Sequence, residues 1–225
     1  MVKLLFKVLL VAGTYFFVNF NILYAGAGTS GGVTLLQPIG ARANGMGEAY
    51  TTSEDDILSI YYNPALELNS SQFSVFYKTG IAEDSFNSLG LGIPFGFGSL
   101  ATTIVNYDAG TILLLDSAGN ERTVNAQTDN LITITLSKKI NKVVIGGNFK
   151  ILNSKLVEEF SATSNMFDIG GKIDISKKIK IGLSFQNLGG EIKYSEKGDK
   201  LPQTLRTGLA YRTLNGLIMA IDIVK

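Results

Sequence analysis

Val143-Val144-Ile145-Gly146-Gly147-Asn148-Phe149-Lys150-Ile151 is the stretch that decides the fold. Val143, Ile145, Gly147, Phe149 and Ile151 fall on one parity; Val144, Gly146, Asn148 and Lys150 fall on the other. The same phrase recurs downstream. Phe167, Ile169, Gly171, Ile173 and Ile175 alternate with Asp168, Gly170, Lys172 and Asp174. Ile179, Ile181, Leu183 and Phe185 alternate with Lys180, Gly182, Ser184 and Gln186, and Leu205, Thr207, Leu209 and Tyr211 with Arg206, Gly208, Ala210 and Arg212. Successive side chains of a strand point to opposite faces, so each run has one greasy and one wet face. Runs of roughly nine to eleven residues are long enough for a tilted strand to cross a bilayer. The pattern predicts an all-β fold: a transmembrane antiparallel β-barrel with apolar residues toward lipid and polar ones toward the lumen.

Earlier segments extend the pattern. Phe73, Val75 and Tyr77 share a parity, as do Leu89, Leu91, Ile93 and Phe95. Leu100 to Tyr107 follows a Gly96-Phe97-Gly98 break, and residues 110–126 predict a hairpin turning at Ser117-Ala118-Gly119-Asn120. Ile132, Ile134 and Leu136 then alternate with Thr133, Thr135 and Ser137, and the last strand carries Leu217, Met219, Ile221 and Ile223. Tight turns at 139–141, 177–178 and 214–216 alternate with long polar joints at 153–165 and 188–202. Short turns at one end and long loops at the other are what outer-membrane barrels show. The count is about nine to eleven strands, fewer than a large barrel needs.

Residues 1–25 are a separate object. Lys3 and Lys7 precede an apolar run from Leu4 to Phe20, and the small residues Ala25, Gly26, Ala27 and Gly28 follow. That is the layout of a secretory signal peptide cleaved near Ala25 or Ala27; an uncleaved membrane anchor is the alternative. Either way the remainder is exported. Residues 26–68 form a plug-like segment and 69–225 the strands. Within 26–68, Ser53-Glu54-Asp55-Asp56 resembles a helix capping box, and a short, largely apolar helix is expected over Glu54–Tyr62, stopped by Pro64. A helix so greasy must be buried.

Composition excludes much chemistry. The 225 residues include no Cys, His or Trp, and net charge is +1. Thiol nucleophiles, disulfides, thiolate or imidazole metal sites and a histidine base are absent, and no large basic field exists for nucleic acid. The expectation is a non-enzyme without cofactor or metal. Glycines 26, 28, 31 and 32 lack the strand-before, helix-after context of a nucleotide loop. Asp55-Asp56 can be read as metal carboxylates, but helix capping explains them without further ligands. Glu158-Glu159 reads as solvated loop.

On the wet parity, Lys150, Asp168, Lys172, Asp174, Lys180, Gln186, Arg206, Arg212 and Asp222 would face the lumen. They form either a polar pathway for a ligand or a set of cross-strand ion pairs. Gly146, Gly170, Gly182, Gly208 and Ala210 leave space there, which the N-terminal segment is expected to fill.

Residues 40–50, Gly40-Ala41-Arg42-Ala43-Asn44-Gly45-Met46-Gly47-Glu48-Ala49-Tyr50, are followed by Asp55-Asp56 and then Tyr61-Tyr62-Asn63-Pro64-Ala65. This series resembles the N-terminal signature of the PorV/PorQ family of outer-membrane proteins, itself similar to FadL-type long-chain fatty acid transporters. The motif positions carried over are Gly45, Met46, Gly47, Asp55, Asp56, Asn63, Pro64 and Ala65. The resemblance implies a monomeric barrel of about fourteen strands in the bacterial outer membrane. It implies, as partners, outer-membrane lipid and either secreted cargo and type IX secretion components or, on the FadL side, hydrophobic small molecules. This chain ends Asp222-Ile223-Val224-Lys225, without the terminal aromatic of a finished barrel, so a fragment or an unusual closure is expected. A secreted soluble β-sandwich that binds a partner is the reading outside the membrane.

Overall fold

The computed structural model describes residues 31–53, 56–81, 83–115 and 118–225; the signal peptide expected at 1–25 lies outside them. Among the described residues, nine strands form one antiparallel sheet. In spatial order these are β1 (Gln72–Thr79), β2 (Ser85–Phe95), β3 (Gly98–Asp108), β6 (Gln127–Ile140), β7 (Val143–Leu156), β8 (Phe160–Asp174), β9 (Ile179–Leu188), β12 (Thr204–Arg212) and β13 (Ile218–Val224). Two small hairpins stand outside it: β4 (Thr111–Leu115) with β5 (Glu121–Asn125), and β10 (Glu191–Ile192) with β11 (Asp199–Lys200). The sheet is not closed; β1 and β13 are its edges.

Parity governs burial throughout. On β2 the pattern alternates, with Phe86, Ser88, Gly90 and Gly92 buried and Leu89, Leu91 and Ile93 exposed. On β8, Ser164, Met166, Asp168 and Lys172 are buried while Phe167, Ile169 and Ile173 are exposed. The outer face is therefore the apolar one: Ile145 is 48% exposed, Ile169 55% and Ile221 57%. The inner face carries Thr103, Thr133, Thr135, Asn148, Lys150, Asp168, Ser184 and Gln186, all buried. A soluble sandwich would cover its apolar face with a second sheet; the described residues place none there.

What covers the inner face is the segment from residue 31 to residue 71. It contains a 3₁₀ turn over Val33–Leu36, a short helix α1 (Ala41–Gly45) and a second 3₁₀ turn over Ile57–Tyr61. It reaches β3 through Leu68 and β13 through Thr51, so the sheet curves around it. The core lies between the two. Ile39, Tyr50, Ile57, Ile60, Tyr62 and Leu66 from the segment meet Phe86, Val105, Leu131, Leu152 and Met166 from the sheet.

Two expectations need correction. The helix over Glu54–Tyr62 is a 3₁₀ turn over Ile57–Tyr61, capped by Asp56, whose carboxylate accepts from the Leu58 amide at 2.9 Å. Packing on all sides, rather than helical propensity, holds so short an element. The long joint at 153–165 is instead strand: β7 runs to Leu156, β8 starts at Phe160, and only 157–159 turn. Asn153, Ser154 and Lys155 keep the alternation while becoming polar on both faces, as a strand does where water replaces an apolar contact. The end formed by turns 96–97, 141–142, 175–178 and 213–217 still contrasts with the other, which carries 80–84, the β4–β5 hairpin and the 189–203 loop.

Candidate functional site

The site is the contact between the irregular segment and the sheet's polar face. A buried chain without regular structure has many unpaired backbone groups, each of which needs a partner. The inner face supplies them. Asn148 Nδ2 donates to the Ile60 carbonyl at 2.9 Å, Gln186 Nε2 to Tyr61 O at 2.6 Å, Lys172 Nζ to Ser53 O at 3.0 Å and Ser137 Oγ to Leu66 O at 2.5 Å. Ser99 Oγ accepts from the Leu68 amide. Asp222 Oδ2 accepts three times, from the amides of Tyr50 and Thr51 at 2.9 Å and from Thr51 Oγ1 at 2.6 Å.

Charge is concentrated in the middle of the face. Lys150, 2% exposed, pairs at 2.7 Å with Asp168, 1% exposed. Lys150 also donates to Asn187 Oδ1 at 3.1 Å and stands 5.5 Å from the Tyr61 ring centroid. Asp168 accepts from Asn148 Nδ2 at 2.7 Å and from the Asn187 amide at 2.8 Å. Asn187 gets there through a bulge: the register steps from Phe167–Leu188 to Ile169–Phe185, so Gln186 and Asn187 together oppose Asp168. Its φ of 58° is one that asparagine tolerates. Nearby, Arg206 Nε donates to Gln186 Oε1 at 3.1 Å, and its guanidinium lies 3.4 Å from Glu48 and 5.1 Å from the Tyr62 ring.

Glycine decides how closely the segment approaches. Gly146 faces Gly170 across β7–β8, and Gly182 faces Gly208 across β9–β12. A Cβ at Gly146 would overlap the Pro64 carbonyl oxygen, and one at Gly170 would meet Asn63 Oδ1 and, at 2.8 Å, Pro64 Cδ. At Gly182 it would stand 2.7 Å from the Thr51 carbonyl oxygen. Asn63 then ties the motif together. Its Nδ2 donates to Thr51 O at 2.8 Å and Gly171 O at 3.2 Å, while its Oδ1 accepts from the Ala65 amide at 3.0 Å.

The other expected positions are distributed as follows. Pro64 and Ala65 are buried in the seat just described. Gly45 and Gly47 are exposed, Gly47 with φ 61°, at the end of α1, and Met46 packs half-buried against the core. Asp56 caps its turn and accepts from the Tyr50 hydroxyl; Asp55 lies outside the described residues. Asp174 pairs with Lys180 at 3.2 Å near the short-turn end, and Arg212 is exposed there. A second buried carboxylate, Asp129, accepts from Thr34, Ser154 and Gln127. It stands on the inward parity of β6, in step with Leu131, Thr133 and Thr135, ahead of the clear apolar alternation.

Burial pushes the phenols of this region upward. Tyr50 rises to about 12, through loss of water and then its hydrogen bond to Asp56; Tyr61 and Tyr62 rise through burial first of all. The arrangement binds chain: the hydrogen-bonding side chains of the seat hold backbone or one another, while the buried hydroxyls of Thr133 and Ser184 have no partner among the described residues. Among the described residues, no three acidic side chains converge as a metal cluster would.

No family model and no curated protein matches this sequence. Among solved structures, the outer-membrane expressed OmpT of Vibrio cholerae is similar at 12% identity and a TM-score of 0.43, over 65% of this chain and 48% of that one. The match thus spans about half the length of that structure, and a likeness of that degree carries nothing about activity.

Proposed function

We propose that this chain forms the membrane-spanning sheet and internal plug of an outer-membrane β-barrel of PorV/PorQ type, acting without catalysis in protein secretion or envelope transport. The observation that carries this reading is the inversion of the usual burial rule. Apolar side chains occupy the open face of nearly every strand, while the sheet's buried ionisable, amide and hydroxyl side chains occupy the covered one, beside the apolar residues that meet the plug. Soluble monomers seldom expose contiguous apolar patches beyond a few hundred Å². A hydrocarbon surround makes the same arrangement favourable. Within that reading, the segment at 31–71 plugs the interior, and the resemblance at residues 40–65 supplies the family and its secretion role. Unpaired strand edges are prohibitive in lipid, so the reading also requires β1 and β13 to be paired in the membrane.

A FadL-like passage for hydrophobic compounds is the second reading. It is favoured only by the motif it shares with the first, because the interior beside Asn63-Pro64-Ala65 is polar and filled. Fractionation of expressing cells tests the main proposal. The expected result is recovery with outer membranes and faster gel migration before boiling than after; recovery in the soluble periplasm would defeat it.

A further inference from the structure

The short-turn end of the molecule holds a cavity of about 550 Å³ between the plug and the inner face. Its lining contains seven basic side chains and a single carboxylate, Asp174. They converge from separated parts of the chain: Arg42 from α1, Lys139 from the end of β6, Lys142 from the β6–β7 turn, Lys177 and Lys178 from the β8–β9 turn, Lys180 from the start of β9, and Arg212 from the end of β12. Lys139 is committed to Glu67 at 2.7 Å and Lys180 to Asp174 at 3.2 Å. Arg42, Lys142, Lys177, Lys178 and Arg212 have no carboxylate within ion-pair distance among the described residues. Glu54 and Asp55 lie beside Ser53 in sequence, outside the described residues; counted against the site in full, they still leave seven bases facing three acids.

The charge is local rather than general. The whole chain carries a net +1, so gathering these cations at one mouth is a property of the fold. The rest of the wall mixes the hydroxyls of Thr52, Ser53 and Ser176 with small alanines and the apolar side chains of Met46 and Ile218. A recess of this size suits a small molecule, and cations on three walls favour a ligand with several negative groups over one.

We propose that this cavity binds a small soluble polyanion bearing two or more phosphate or carboxylate groups at the short-turn mouth. The inference stands on the cavity and its charges and does not depend on the membrane reading. Like-charge repulsion among clustered cations is relieved by such a ligand, and the attraction is screened by salt.

The test is titration calorimetry on the full chain in detergent at low ionic strength, with inorganic pyrophosphate and citrate as probes and sucrose as neutral control. The expected result is saturable binding of both anions, none of sucrose, and weakening as salt is raised. K142E/K177E/K178E should weaken binding about ten-fold or more, because three attractions become repulsions. K193E/K197E, on the 189–203 loop at the opposite end, should leave it unchanged. All these lysines are exposed, and an unchanged melting midpoint shows that each variant is folded; K142Q/K177Q/K178Q, which adds no acid, should give a smaller loss in the same direction. Absence of saturable binding to the parent chain, or equal affinities in the two lysine-reversal variants, would overturn the proposal.

Discussion

The two faces of one sheet are built by opposite rules from neighbouring residues. On β8, Ile169 stands 55% exposed between Asp168 and Gly170, which are turned inward; one step along the strand changes the environment from an open apolar surface to a dry polar one. The outer face is repetitive and undemanding: Ile, Leu and Phe recur, held by apolar contact such as the Phe149–Phe167 ring pair at 5.2 Å rather than by hydrogen bonds. The inner face is specific where it meets the plug backbone. Asn148, Gln186, Lys172 and Asp222 each hold a named backbone group, and glycines mark where the plug backbone touches the sheet. The lesson is that the outer surface needs only hydrophobicity and can be varied, whereas the inner surface encodes the position of residues 31–71.

The sharpest way to break this contrast is at its charged centre. Removing Asp168 leaves Lys150 buried without its counter-ion, and Asp168→Ala should destabilise by about 3–5 kcal/mol in denaturant titration. Adding Lys150→Met to it should recover a good part of the loss, since an apolar pair need not be solvated. Conservative exchanges on the outer face, such as Ile145→Leu, should stay under about 1.5 kcal/mol. If the two faces respond alike, the inner one has no special role in placing the plug.

A second test uses steric fit. Gly146→Val drives a side chain into the Pro64 carbonyl and should cost about 1–3 kcal/mol, with the plug becoming open to protease. Gly96→Val, in a turn with no atom within 4 Å of the added carbon, should stay within about 0.5 kcal/mol. Equal effects would mean that the close approach at Asn63-Pro64 is not a constraint.

How much of this the sequence carried can be argued from the same residues. Strict alternation is a period-two signal that a strand enforces, so the outward row at Ile145, Ile169 and Ile181 and the inward row at Lys150, Asp168 and Lys172 were both legible. Asn187 was not, because a bulge shifts parity and depends on what stands across the sheet. The joint at 153–165 was misread because polarity there reports the end of the apolar belt, while the backbone pairing continues to Leu156 and resumes at Phe160. Asp222 was legible as inward-facing, but its three acceptances from Tyr50 and Thr51 join parts of the chain some 170 positions apart. No local pattern contains such a contact.

The smallest expected effect concerns pH. The Tyr50 phenol is held neutral up to about 12, against about 10 in an unfolded chain. A group whose folded value is raised contributes stability that is fully present below the unfolded value and lost as pH climbs through the folded one. Plug protection from protease should therefore be constant through neutral pH and fall between about pH 10 and 12. Tyr50→Phe should flatten that decline without abolishing it, because Tyr61 and Tyr62 shift in the same direction.

The central claim, that the open apolar face meets hydrocarbon, is tested most directly by fluorescence, because the chain has no tryptophan of its own. Single tryptophans placed at Ile145, Ile169 and Ile181, and one at Lys193 on the long-loop end, would be reconstituted into bilayers with bromine on the acyl chains. The account predicts strong quenching at the three sheet positions and little at Lys193. Equal, weak quenching at all four, with the sheet intact by circular dichroism, would contradict it.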